Sequence, residues 1–262
     1  MDLGISGKRA LVLASSRGIG LGIAEALAVD GANVLLCGRS EDRLEVAAAS
    51  ISARGAGEAS HIAIDLSEPD SMEALHAAAQ DKLGGVDILI NNTGGPPPGP
   101  VTAPETGVWQ KQFDAMVVGL VDITNRCLPG MRTAGWGRIV TVASSGVIQP
   151  IPNLGLSNAL RSALVGWSKT LASEVAGDGI TVNIVVPGRI HTERVDELDA
   201  AAAKRQDKSV AEIATASRAT IPAGRYGRVD EFAAVAAFLA SEPASYVTGS
   251  VVRCDGGAIR SV

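Results

Sequence analysis

The chemistry available to this chain is concentrated first in residues 14–22, which read Ala14-Ser15-Ser16-Arg17-Gly18-Ile19-Gly20-Leu21-Gly22. An aliphatic run ends just before them and a helix-forming stretch begins among them. Small residues at such a turn let the backbone approach a pyrophosphate, and the helix N-terminus adds unpaired N–H groups and the positive end of its dipole. Tight helix–strand packing is the other use to which Gly18 and Gly20 can be put. Position favours the anion, because the next apolar run closes about 20 residues on, as a dinucleotide site requires. There the chain reads Cys37-Gly38-Arg39, with no Asp or Glu to hold the hydroxyls of an unphosphorylated ribose. Arg39, with Arg17 in the turn, can pair a 2′-phosphate bidentately, which favours NADP(H) over NAD(H); solvated surface arginines are the alternative.

Positioning such a site takes a sheet. Short aliphatic or β-branched runs at 9–13, 33–37, 60–64, 86–90, 138–142, 180–185 and 250–254 alternate with Ala-, Leu- and Glu-rich stretches at 19–29, 41–54, 70–83, 105–132, 158–176 and 229–240. Seven strands alternating with helices predict an α/β fold: a Rossmann-type doubly wound, seven-stranded, mostly parallel sheet with helices on both faces. No stretch reads as an interdomain linker, so residues 1–262 are expected to form one dinucleotide-binding domain. The Pro/Gly cluster at 94–100 follows a strand directly, where such sheets place ligand loops; it reads either as a stiff pocket wall or as a rigid connection. The stretch 193–222, with an alanine run at 200–203 and clustered charges, predicts either a solvated helical pair or a mobile lid over a substrate.

Composition narrows the partners. With 262 residues and 46% hydrophobic residues, the chain can bury a sizeable core. Its 23 Lys+Arg against 28 Asp+Glu give a net charge of -5, which argues against nucleic acid, whose binders carry a basic excess. Cys37, Cys127 and Cys254 are scattered and show no metal spacing, so neither a disulfide framework nor a metal site is expected. Residues 1–8 lack the pattern of a signal peptide and no apolar run is long enough to span a bilayer, so a soluble cytoplasmic protein acting on a small molecule, with no membrane partner, is expected.

Together with later motifs, these residues resemble the short-chain dehydrogenase/reductase family, nearest its 3-oxoacyl-carrier-protein reductase branch, over essentially the whole chain. Ser16-Arg17-Gly18-Ile19-Gly20 matches the end of the family's cofactor turn, and Asp65-Leu66 its adenine-contacting pair. Asn91-Asn92-Thr93-Gly94 matches the fourth-strand signature, and Pro187-Gly188-Arg189-Ile190-His191-Thr192, after Val182-Asn183, the segment that packs the nicotinamide carboxamide against Ile190 and Thr192. Gly224-Arg225, Gly227-Arg228, Phe238-Leu239-Ala240, Val247-Thr248-Gly249 and Asp255-Gly256-Gly257 complete a C-terminal signature. The resemblance implies cofactor contacts from Ser16 to Gly20, from Arg39, Asp65 and Leu66, from Asn92, Thr93 and Gly94, and from Pro187, Gly188, Ile190 and Thr192. It also implies a homo-oligomer, dimer or tetramer, paired through the helices at 105–132 and 158–176.

The departures from the family fall on its chemistry. Ala14 stands for the first glycine of the cofactor turn and Leu13 for the threonine before it, which is expected to weaken cofactor binding without abolishing it. Of the family's Asn, Ser, Tyr and Lys tetrad, only Ser144 matches. Thirteen residues on, where the tyrosine belongs, stands Ser157; four further, in place of the lysine, stands Arg161; and Met116 occupies the asparagine position. The residues four after Tyr226 and Tyr246 are Asp230 and Ser250, so the chain has no Tyr-x-x-x-Lys pair. A phenol lowered by an ammonium delivers a proton near neutral pH, which a serine hydroxyl and a permanently charged guanidinium do poorly. Arg161 can still hold the nicotinamide ribose and stabilise an oxyanion, with Ser144 and Ser157 orienting a carbonyl while water or substrate supplies the proton. His191 is the best-placed substitute acid, or else a loop residue facing solvent; Asn158 can hold a water or serve as a cap. His61 and His76 read as structural.

Three functions compete on this sequence. The first is an NADP(H)-dependent oxidoreductase acting on an activated ketone, a conjugated alkene or an imine, with a 3-oxoacyl substrate suggested by branch likeness. The second is non-redox isomerisation or dehydration on the same scaffold. The third is a catalytically inactive NADP-binding protein. Arg161, Arg189 and Arg194 would suit an anionic substrate.

Overall fold

The computed structural model describes residues 1–54 and 56–261. Alternate residues of each strand point to opposite sides of a sheet, and here both sides are apolar. Ala10, Val12, Val34, Leu36, Ile88, Ile90, Val140 and Val142 enter one core, and Leu11, Leu35, Leu89 and Ile139 the other. A strand buried on both faces has to be covered twice, which is why helices flank the sheet on both sides.

The strands are β1 (Arg9–Val12), β2 (Asn33–Gly38), β3 (Ala59–Ala63), β4 (Ile88–Asn91), β5 (Gly137–Val142), β6 (Ile180–Pro187) and β7 (Val251–Cys254). They pair in the order β3-β2-β1-β4-β5-β6-β7, and every pairing is parallel. The expected seven strands are thus present, and the sheet is parallel throughout rather than mostly so. The helices are α1 (Gly18–Val29), α2 (Glu41–Ser52), α3 (Ser71–Leu83), α4 (Thr106–Phe113), α5 (Gly119–Ala134), α6 (Gly155–Val175), α7 (Glu193–Gln206), α8 (Val210–Ala219) and α9 (Val229–Leu239). Ile23 and Leu27 of α1, Leu44 and Ile51 of α2 and Phe232 and Ala236 of α9 fill the first core. Leu75 of α3, Leu120 and Ile123 of α5 and Leu164 and Leu171 of α6 fill the second.

Strand order reverses between β1 and β4, and the crevice beyond their carboxyl ends is where open α/β sheets take ligands. Every segment singled out for chemistry leaves the sheet on that side. At the opposite end, Asp87 accepts from Arg9 Nε (2.8 Å) and Nη2 (2.6 Å), clamping β1 to the approach of β4. The single helix expected over 105–132 is interrupted by a π-helical turn, Asp114–Val118, between α4 and α5. Its cause is not visible in apolar spacing, since Met116 and Val117 are buried within it. Among the described residues, no helix is long and apolar enough to cross a membrane.

Candidate active site

The cofactor turn is held from beneath by polar groups. Ser15 is fully buried; its hydroxyl donates to Val12 O (2.7 Å) and accepts from Cys37 N–H (3.0 Å), fixing β1 to β2. Asn92, just past β4, donates its amide to Leu13 O and Ala14 O, both at 3.2 Å, so it braces the turn across the switch point. Two backbone features shape the turn. Gly18 sits at φ +60, and a Cβ on Gly20 would lie 2.4 Å from Ala14 O, so only glycine lets α1 start this close. Ala14 itself adopts φ +47, a left-handed conformation for which its Cβ is a liability. Arg17 caps α1 with extended backbone and no side-chain bond, and the first turn of the helix carries no acid. Its N-terminal N–H groups and dipole therefore face the crevice uncompensated, as an anion cradle requires.

The two arginines assigned to a 2′-phosphate differ in their surroundings. Arg39 follows β2, is exposed, and is in no ion pair among the described residues. Nearby Asp65 is held below the usual carboxylate range, first by the Ser67 N–H, then by the Ser67 hydroxyl and by the charges of Arg39 and Lys111. Arg17 instead bonds Glu193, the first residue of α7, to which Arg43 of α2 also comes within 3.6 Å. That cluster joins the cofactor turn to the helix across the crevice, a link sequence spacing gave no means of finding.

Opposite the turn, β6 ends at Pro187 and Gly188 N–H donates to Cys254 O (3.0 Å). Ile190 is buried and bridges to Gly227, while Thr192 caps α7 with its methyl 3.7 Å from where a Gly18 Cβ would stand. Gly18 and Thr192 thus face each other across the cleft. His191 points away: its side chain is 67% exposed and lies 3.5 Å from Asp196, which matches the solvent-facing alternative.

Ser144 follows β5, and Ser157 and Arg161 stand on the first turns of α6, which packs on the short turn that Ser144 opens. Ser144 opens a short 3-10 turn, its Oγ accepting from Gly146 N–H (3.1 Å), and Asn158 packs its amide against Gly146 from α6. Ser157, beside Asn158, is buried. Asn158 Nδ2 donates to Ile151 O (2.9 Å), while its Oδ1 is buried without a partner. Arg161, one turn along, donates Nη1–H to Val142 O (2.9 Å) and Nη2–H to Thr93 O (3.2 Å) and Gly94 O (3.3 Å). It thereby ties α6 to the ends of β5 and β4 through carbonyl partners, and among the described residues no carboxylate pairs with it. Burial, with a smaller push from Arg194, pulls its pKa down to about 10, so the guanidinium is still charged at neutral pH. Met116, at the position the resemblance gives to asparagine, is 3% exposed and packs in the second core, which makes it a packing residue.

The 94–100 loop is pinned on both sides. Arg161 holds its start, Arg194 Nη2–H donates to Pro96 O (2.8 Å), and Gly99 N–H donates to Asn153 O (2.7 Å). The 193–222 stretch forms the helical pair α7 and α8. Val195, Asp199 and Ala203 make the buried stripe of α7, and Asp199 accepts from Arg189 Nη1 (2.6 Å) and the Tyr226 hydroxyl (2.7 Å). Arg189, grouped by sequence with Arg161 and Arg194 as an anion contact, is therefore committed to Asp199, because a buried carboxylate demands a cation. Tyr226 and Asp199 were not marked by sequence as site-positioning residues; no local motif distinguishes them.

Comparison with known proteins identifies the family. The family profile described as enoyl-(acyl carrier protein) reductase matches residues 13–258. A 3-oxoacyl-(acyl-carrier-protein) reductase of Vibrio cholerae is 35% identical over 257 residues, covering 97% of this chain and 98% of that protein. The crystal structure of L-sorbose reductase from Gluconobacter frateurii, complexed with NADPH and L-sorbose, superposes with a TM-score of 0.94 at 34% identity, covering both chains fully. An actinorhodin polyketide ketoreductase variant with NADPH superposes at 0.92 with 32% identity, over 97% of this chain and 98% of that one. The chain belongs to the short-chain dehydrogenase/reductase family.

Proposed function

We propose that this protein is an NADP(H)-dependent oxidoreductase that reduces a polarised carbonyl or a conjugated alkene at a site built from Ser144, Ser157 and Arg161. The cofactor assignment rests on the uncapped, acid-free start of α1 beside Gly18 and Gly20, and on Arg39 standing where an acid would select the unphosphorylated ribose. Solved structures of the sorbose reductase and the polyketide ketoreductase with NADPH support it. Ser16 to Gly20 would hold the pyrophosphate, Arg39 the 2′-phosphate, Asp65 and Leu66 the adenine, and Thr93, Gly94 and Arg161 the nicotinamide ribose. Asn92 would support the turn, and Pro187, Gly188, Ile190 and Thr192 would frame the nicotinamide. When bound, the cofactor supplies hydride.

The observation that carries the mechanism is the buried Arg161 guanidinium with carbonyl partners and, among the described residues, no carboxylate. A cation in a water-poor site stabilises negative charge far more than it would in water. As hydride reaches the substrate carbon, the C=O electron pair moves onto oxygen. Arg161 stabilises that charge, the Ser144 and Ser157 hydroxyls donate hydrogen bonds to it, and water supplies the proton that completes the alcohol or, for an enone, the saturated ketone. A tyrosine acid is dispensed with. The same cation repels an iminium, so imines rank below carbonyls and enones. A 3-oxoacyl compound is one carbonyl substrate of the required kind.

Titration of the protein with NADPH and NADH, followed by fluorescence, tests the cofactor assignment; NADPH should bind more tightly, and Arg39→Ala should remove the preference. Loss of absorbance at the reduced nicotinamide band on adding ketones and enones tests the reaction. Product without any loss of absorbance would replace the redox reading with isomerisation or dehydration. Tight NADPH binding with no turnover on any substrate class would replace it with a cofactor-binding protein.

A further inference from the structure

The charges on the substrate side of the cleft are unevenly distributed. Arg161 and Arg194 both grip carbonyls of one short segment: Arg161 takes Thr93 O and Gly94 O, and Arg194 takes Pro96 O. They come close enough that the charge on Arg194 disfavours protonation of Arg161. Like charges brought together in a partly buried place are costly unless an anion joins them. The acids of α7 do not resolve this. Glu193 turns to Arg17 and Arg43 on the adenosine side. Glu197, one turn on, reaches Arg194 at 3.2 Å but also lies 4.0 Å from Arg17. Arg194 thus has one exposed carboxylate beside it and Arg161 none among the described residues, and Arg189 is occupied elsewhere by Asp199. Arg194 spends two of its N–H groups on Pro96 O and Glu197, leaving Nε–H and further donors for a ligand.

We infer that the physiological substrate is an oxo acid or unsaturated oxo acid, whose carboxylate is received by Arg194 at the 94–96 loop while its reacting carbonyl lies against Arg161 and the two serines. The inference rests on the reductase reading for the identity of the reacting group, but the carboxylate contact stands on Arg194 alone. The division of labour is geometric. Arg161 is locked by three carbonyls at the ends of β4 and β5 and is available only to a group that enters the crevice. Arg194 is 39% exposed at the start of α7, where a carboxylate can arrive from solvent. Because Arg194 is on α7 and bonded to the loop opposite, an anion there would also hold the two walls of the cleft together.

The test uses 2-, 3- and 4-oxopentanoate beside their methyl esters, with NADPH, on the full-length wild-type protein and on Arg194→Gln and Arg194→Lys. At one spacing at least, the acid should exceed its ester roughly tenfold in kcat/KM, mainly through KM. Arg194→Gln should erase that preference, Arg194→Lys should keep part of it, and NADPH affinity should stay the same in both. Esters equal to acids at every spacing, or a preference that survives Arg194→Gln, would overturn the inference and leave the reductase reading intact. If NADPH binds but nothing turns over, the reductase reading fails by itself. The carboxylate contact is then decided by thermal shifts of the NADPH complex: shifts by acids and not esters, absent in Arg194→Gln, support it, and equal shifts or none overturn it.

Discussion

Replacing Ala14 by glycine should stabilise this protein. Ala14 is held at φ +47 by bonds on both sides of the peptide: its carbonyl accepts from Asn92, and the following Ser15 N–H donates to Cys37 O at 2.8 Å. An L-residue in the left-handed region costs about 1–2 kcal/mol that glycine does not. Glycine returns about 0.4–1 kcal/mol of that as extra freedom of the unfolded chain. The net expectation is about 1 kcal/mol of added stability, which for a chain of this size is a rise of about 2–4 °C in Tm. Urea unfolding should show the midpoint rising with its slope unchanged. Gly18→Ala is the matching control: φ is +60 there, and the nearest atom to a new Cβ is the Thr192 methyl at 3.7 Å, so strain without collision should lower Tm by a similar amount. NADPH titration of Ala14→Gly shows whether the Ala14 Cβ also holds back the pyrophosphate. An unchanged or lower Tm in Ala14→Gly, with Gly18→Ala neutral, would refute the strain argument.

Three further outcomes are expected. Burial alone would raise the Asp87 pKa, but hydrogen bonds from Arg9 overcome it and the net shift is downward. A depressed carboxylate lends stability above its unfolded pKa and loses it as pH falls through its folded one; Asp87→Asn should therefore cost about 1–3 kcal/mol at pH 7, a gap that closes below about pH 4 in urea melts. With its pKa drawn down to about 10 by burial, Arg161 should give a kcat/KM that falls as pH rises through about 10. The sign for stability is opposite, since a base with a lowered folded pKa penalises the fold while charged, and that penalty fades as pH rises past about 10; a kcat/KM that rises through that range would refute a role for the charge. Asp199→Ala leaves Arg189 without its acid and Tyr226 without its acceptor, and should loosen α7, seen as faster amide exchange over that helix and a raised KM with NADPH affinity kept.

What could be read from the sequence and what could not divide along physical lines. Strands whose every residue is apolar, such as Ile88 to Ile90, announce a doubly covered parallel sheet, because no one-sided sheet tolerates them; the seven strands and the switch point follow. The cofactor turn was legible because glycine spacing and the missing acid after β2 are local. The π turn was not, because nothing in the residue types of 114–118 marks the extra residue per turn. The Arg17–Glu193 and Asp199–Tyr226 contacts were not legible either, since each joins residues distant in sequence through groups that look like ordinary surface charges. The same limit applies to the pair that matters most. Sequence aligned Arg161 with a lysine and marked it as a charge that relays no proton. Only the fold brings Val142, Thr93 and Gly94 carbonyls to that guanidinium and sets Arg194 on the same loop. On the proposed reading, that guanidinium acts as a fixed positive charge rather than as a proton relay. If Ser144 and Ser157 act with it as proposed, such a charge would favour a substrate that brings negative charge with it or develops it on reaction.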